Sequence, residues 1–170
     1  MRRWAAQMTA VEIHGTWERY VEGRLVAALN HNPKHFIKEQ TIAGVSGIPT
    51  GLARYIIRGG KRFFDFRSMG DLINKADHWL GNAANPFNSI DATDRSYIDC
   101  LSAIRNCAVH GSEASINAYK RNLRSVYGIK AAPGPEEFLH AKDFRAASPM
   151  RYDSRLSGLA FVVTKSIANT

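Results

Sequence analysis

The chain has 170 residues and a mass of 18.9 kDa, the size of one ordinary domain, and its 45% hydrophobic content excludes a disordered polymer. Lysine and arginine number 23 against 15 aspartates and glutamates, a net charge of +8. Residues 1–85 carry 12 basic and 7 acidic side chains and residues 86–170 carry 11 and 8, which excludes a basic tail; a folded basic surface is expected, with nucleic acid or an acidic protein as its partner.

Met1-Arg2-Arg3 is followed by no apolar run of signal-peptide length. From about Trp4 to Asn30, Ile13, Trp17, Tyr20, Val21, Leu25 and Ala28 recur at three- and four-residue steps, which predicts one long helix with a single buried stripe. His31-Asn32-Pro33 ends it, and a shorter helix is expected over Lys34 to Ala43. Gly44, Gly47, Pro49 and Gly51 then predict a bent connector, residues 52–58 a short helix, and Gly59-Gly60 a turn. Ser68 or Asp71 starts a helix that runs to about Leu80, and Gly81 to Ser89 reads as loop.

Asp91 to Asp94 supply helix-start chemistry for a segment striped by Tyr97, Leu101, Ile104 and Ala108, with Gly111 as its stop. Cys100 and Cys107 on that helix are separated by roughly 10 Å along the axis, too far for a disulfide. A further helix is expected from Ser112 or Glu113 to Tyr127, ended by Gly128 and Pro133-Gly134-Pro135. Residues 128–152 read as an irregular connector, with short strands as the alternative. A last amphipathic helix uses Leu156, Leu159, Ala160, Val163 and Ile167. Leu159 to Val163 is the longest apolar run and far too short for a membrane span, so a soluble, cytoplasmic protein without a membrane partner is expected. The fold class is all-α: a bundle of about five to seven helices forming a single domain over residues 1–170.

One string carries chemistry: Arg105-Asn106-Cys107-Ala108-Val109-His110-Gly111. Arginine is a permanent cation with a planar donor fork suited to phosphate, and histidine exchanges protons near neutrality. Asn106 either donates to a phosphate oxygen or holds the imidazole in one tautomer. On an ideal helix His110 points about 140° away from Arg105, so convergence is expected to need a break at Gly111 or a second protomer. The six histidines form no Cys-x-x-Cys or His-Glu-x-x-His pairing and no glycine-rich phosphate loop occurs, so neither a metal nor a cofactor is expected.

Arg105-Asn106-x-x-x-His110 in a small all-α chain resembles the Arg-x(4–6)-His motif of HEPN domains, whose position after the arginine is commonly polar. The first helix, Trp17-Glu18-Arg19-Tyr20-Val21-Glu22 leading to Leu25 and Leu29, is similar to the opening helix of the RiboL-PSP-HEPN branch, where a carboxylate sits at about this place. The resemblance implies a HEPN-like bundle and a metal-independent endoribonuclease in which the RNA 2′-hydroxyl attacks the adjacent phosphate, leaving a 2′,3′-cyclic phosphate. It further implies His110 as acid–base group, Arg105 as transition-state stabiliser and Asn106 as the side chain orienting either one. A homodimer with a composite site is implied, as is a toxin, phage-defence or stress-response setting with an antitoxin or other inhibitor protein. The alternative within the same resemblance is a non-catalytic RNA-binding or protein-interaction module, paired with an antitoxin or a nucleotidyltransferase. An unrelated helical adaptor carrying an accidental motif is the third possibility.

Glu18 flanks the apolar stripe and is expected either to reach Arg105 or to form a structural ion pair, whereas Glu22 is expected further round towards solvent. Lys120, Arg121 and Arg124 share one helical arc after the motif and suit a phosphate rim or a solvated face equally. Residues 54–67 combine five cations, one acid and four aromatics, among them Arg58, Lys61 and Arg62 as candidate RNA contacts. The favoured expectation for this segment is nevertheless structural, with Phe63, Phe64 and Phe66 filling the core. Trp17 and Trp79 are read as core anchors, Cys107 as a packing residue, and His14, His31, His35, His78 and His140 as ordinary core or surface histidines.

Overall fold

Four helix starts in this chain are set by side chains that accept the orphaned N–H groups of a first turn. In the computed structural model, which describes residues 2–142 and 154–170, Ser68 accepts from the Asp71 amide, Asp91 from Asp94, Ser112 from Ser115 and Ser154 from Ser157. Eight α-helices are described: α1 (Arg2–His31), α2 (Lys34–Glu39), α3 (Thr50–Arg58), α4 (Met69–Leu80), α5 (Ala92–His110), α6 (Glu113–Tyr127), α7 (Pro135–His140) and α8 (Arg155–Ala168). No strand occurs among the described residues, and the fold there is all-α.

The departures from the sequence expectations have local causes. α2 stops at Glu39 rather than near Ala43 because Thr41 turns left-handed (φ 53°) and the Ile42 amide reaches back to the Ile37 carbonyl. The segment 81–89, read as loop, is organised as two 3-10 turns, Asn82–Ala84 and Pro86–Ser89. Buried Asn85 holds them: its Nδ2 donates to the Ile73 carbonyl (3.1 Å) and to Asp77 Oδ1 (2.8 Å), and its Oδ1 accepts from the Phe87 amide. α7 lies inside the stretch expected to be irregular, started by Pro135 at its first turn and held by fully buried Phe138 and Leu139. Residues 128–134 and 141–142 are irregular as expected, and residues 143–152 of that stretch fall outside the described residues.

The described chain forms two compact units. The first contains α1 up to Thr16 and the described residues from Asp91 to Asn169. Here α5 packs along α6 and α8, and Ile98, Leu101, Ile104, Leu123 and Leu159 are buried between them. Phe138 meets Tyr127 and Tyr119 edge to face, with the Arg155 guanidinium 4.6 Å from the Phe138 centroid. Lys165 of α8 pairs with Asp91 (3.1 Å) and Asp94 (2.6 Å) at the start of α5. The His14 ring, buried on α1, lies 2.8 Å from Ser102 Oγ of α5, a core histidine as the sequence suggests.

The second unit spans Trp17 to Ile90 with Thr170. Its core is built on the Trp17, Val21, Leu25 and Leu29 stripe of α1, all fully buried, together with Leu72, Ala76 and Phe87. Trp17 stacks near Tyr20 and takes Phe87 edge-on at 6.2 Å. Trp79, expected as a second core anchor, is only half-buried and packs against Phe64 at 5.9 Å.

Candidate active site

The last turn of α5 places the motif. Leu101, Ile104 and Cys107 face the core of the first unit, which leaves Arg105 and Asn106 half-buried at its edge and His110 exposed. Gly111 ends the helix in the left-handed region (φ 56°), its amide bonded to the Cys107 carbonyl at 3.1 Å. His110 is therefore the final helical residue, with no following turn to cover its ring.

Arg105 Nη1 donates to Asn106 Oδ1 at 2.8 Å and lies 3.5 Å from His110 Nε2. This corrects the expectation that one helix keeps arginine and histidine apart until a break or a second protomer joins them. Cβ directions on an ideal helix differ by about 140° at this spacing, but the four-torsion arginine stem runs along the helix while helical side chains lean towards the N-terminus. His110 leans back and Arg105 reaches forward. Arginine only donates hydrogen bonds, so Nε2 accepts at this contact only in the tautomer that carries its proton on Nδ1.

Cys107 is buried among the α5 neighbours; burial pushes its thiol up from the ordinary cysteine value, with the Lys120 charge pulling weakly the other way. It is a packing thiol, as the sequence suggests. Lys120, Arg121 and Arg124 are all exposed on α6, the helix packed along α5. Among the described residues no three His, Cys, Asp or Glu side chains are placed to hold a metal ion.

Glu18 belongs to the second unit and is half-buried. Glu22, expected towards solvent, is instead paired: its side chain is 18% exposed, accepts from Arg58 Nη2 (2.6 Å) and Nε (3.0 Å), and lies 3.6 Å from Arg54. The reason is α3, which brings two arginines one turn apart against that face of α1. Arg58 is thereby held by a carboxylate, while Lys61 and Arg62 are exposed. The three phenylalanines part company: Phe64 is buried, Phe66 half-buried, and Phe63 66% exposed, so the expectation that all three fill the core is corrected for Phe63. His31, His78 and His140 are exposed and His35 half-buried against Gly81. A cavity of about 420 Å³ lined by Arg24, His31, Asn32, Leu80 and Pro86 contains no motif residue, and no helix of the described residues is long and apolar enough to cross a membrane.

Comparison of the chain with known protein families, with characterised proteins and with solved structures gave no match. The functional reading therefore stands on the residues themselves.

Proposed function

We propose that the protein is a metal-independent endoribonuclease of HEPN type, acting in the cytoplasm as a homodimer in a toxin, phage-defence or stress-response role. The observation that carries this reading is the contact among Arg105, Asn106 and His110: a guanidinium, its orienting amide and an accessible imidazole within 3.5 Å on one helix end. A phosphate oxygen accepting from Arg105 would lie within reach of His110 Nε2. As base, His110 removes the proton of the 2′-hydroxyl while that oxygen forms a bond to phosphorus. The bond from phosphorus to the 5′-oxygen breaks, and an imidazolium, supplied by the second copy's motif, returns a proton to the leaving oxygen. Arg105 stabilises the added charge on the phosphorane-like transition state. Asn106 Oδ1 already accepts from Arg105, which favours a role in orienting the arginine. Lys120, Arg121 and Arg124 supply the phosphate rim.

Purified protein incubated with RNA in excess chelator is expected to yield fragments ending in 2′,3′-cyclic phosphate, and His110→Ala to yield none. RNA left intact by the wild type, or cut equally by His110→Ala, removes the basis of this reading and leaves a non-catalytic RNA-binding or protein-interaction module as its successor.

A further inference from the structure

After Arg58 the second unit turns sharply through Gly59 and Gly60, both left-handed (φ 59° and 76°), a pairing that glycine adopts without steric cost. The amides of Gly59, Gly60 and Lys61 bond back to the Ile56, Tyr55 and Arg58 carbonyls, so the turn is closed on the end of α3. A Cβ on Gly60 would meet Tyr55 Oη at 3.6 Å, which places the Tyr55 ring over the turn. Phe63 follows three residues later, within roughly 10 Å of chain. Both rings are 66% exposed.

Cations occur in the same segment and beside one of these rings. The Arg62 guanidinium lies 5.6 Å from the Phe63 centroid. Among the described residues Lys61 makes no ion pair, whereas Arg58 is held by Glu22 and Lys75 by Asp71 and the Asp65 carbonyl. A cavity of about 190 Å³ opens beside the turn, lined among others by Arg58, Lys61, Lys75, Phe64, Trp79 and one acid, Asp65. That is below the size of drug-binding pockets and suits a single planar base or a phosphate. Cations alone would suit an acidic peptide. Two exposed aromatic rings added to the cations suit unpaired bases, because every base has a π-face and duplex bases are already stacked on one another.

We propose that this face of the second unit binds single-stranded RNA, with Tyr55 and Phe63 stacking bases and Lys61 and Arg62 contacting phosphates. It takes its RNA ligand from the endoribonuclease reading but none of its residues from that site.

The test is fluorescence anisotropy of the full chain with a labelled, unstructured ten-nucleotide RNA carrying 2′-O-methyl groups, which blocks cleavage by 2′-hydroxyl attack. Tyr55→Leu and Phe63→Leu, at exposed positions, are each expected to weaken binding about tenfold, and Phe63→Trp to retain it. Lys61→Gln and Arg62→Gln are each expected to reduce the slope of log affinity against log salt by about 0.7. Melting profiles matching wild type exclude misfolding as the cause. Unchanged affinity in both leucine variants overturns the proposal, as does equal binding of an acidic peptide or of anionic vesicles through the same residues. Unmethylated RNA separates the two readings. RNA bound through Tyr55 and Phe63 but never cut removes the endoribonuclease reading alone, and His110-dependent cutting with unaffected leucine variants removes this one alone.

Discussion

Arg105 and His110 differ in when their contacts matter. A guanidinium that meets charge developing on the transition state affects turnover more than substrate affinity. Arg105→Ala is accordingly expected to lower kcat by about 100-fold or more with little change in KM, and Arg105→Lys to recover only part of it because lysine lacks the planar fork. Steady-state kinetics on one oligonucleotide checks this, and a loss confined to KM would reassign Arg105 to binding. At this scale the sequence could single out the candidate motif because guanidinium and imidazole are residue types suited to phosphate chemistry. The contact between its members was not, since helical periodicity describes Cβ directions and says nothing of where a four-torsion side chain ends. Phe63 was misread for a related reason: three phenylalanines within four residues cannot all face one core, and composition does not say which one is left outside.

At the scale of elements, caps hold the arrangement and make it sensitive to acid. Asp71, in the first turn of α4, accepts from the Arg67 amide at 2.9 Å and pairs with Lys75 at 3.0 Å. The Arg67 backbone hydrogen bond, helped by Lys75, holds its carboxyl below the usual aspartate value despite partial desolvation. A depressed folded value means that the stability Asp71 contributes is complete above the ordinary aspartate range and is lost as pH falls through the folded value. Asp71→Asn is therefore expected to melt below wild type at neutral pH, with the gap closing towards pH 2; a gap constant with pH would show that the carboxylate charge plays no part. Asp91 behaves alike, lowered mainly by the Asp94 amide, whereas burial raises its neighbour Asp94. The starts at Ser68, Asp91 and Ser112 were legible because each bonds an amide three residues ahead, a purely local geometry. α7 was not, because Pro133-Gly134-Pro135 resembles a terminator and the burial of Phe138 and Leu139 against distant helices is invisible along the chain.

For the whole molecule, the charge of +8 divides among different tasks. Arg54, Arg58, Lys75 and Lys165 are engaged by carboxylates, while Lys61, Lys120, Arg121 and Arg124 stand exposed. The proposed homodimer gives the reaction a base and an acid from two copies of one motif. Light scattering is expected to report about twice 18.9 kDa. Mixing wild type with His110→Ala, after subunit exchange, should lower activity as the square of the wild-type fraction; a linear fall would mean that each copy works alone.

The sequence by itself determined the all-α class, most helix boundaries and which side chains are candidates for the proposed chemistry, because periodicity, caps and residue chemistry act over a few neighbouring positions. Only the tertiary structure decided that Glu22 meets the α3 arginines, that Arg105 approaches His110 within one chain, and that Tyr55 and Phe63 stand exposed. Those outcomes depend on which faces of distant segments bury one another, and burial is a property of the packed chain rather than of any window along it.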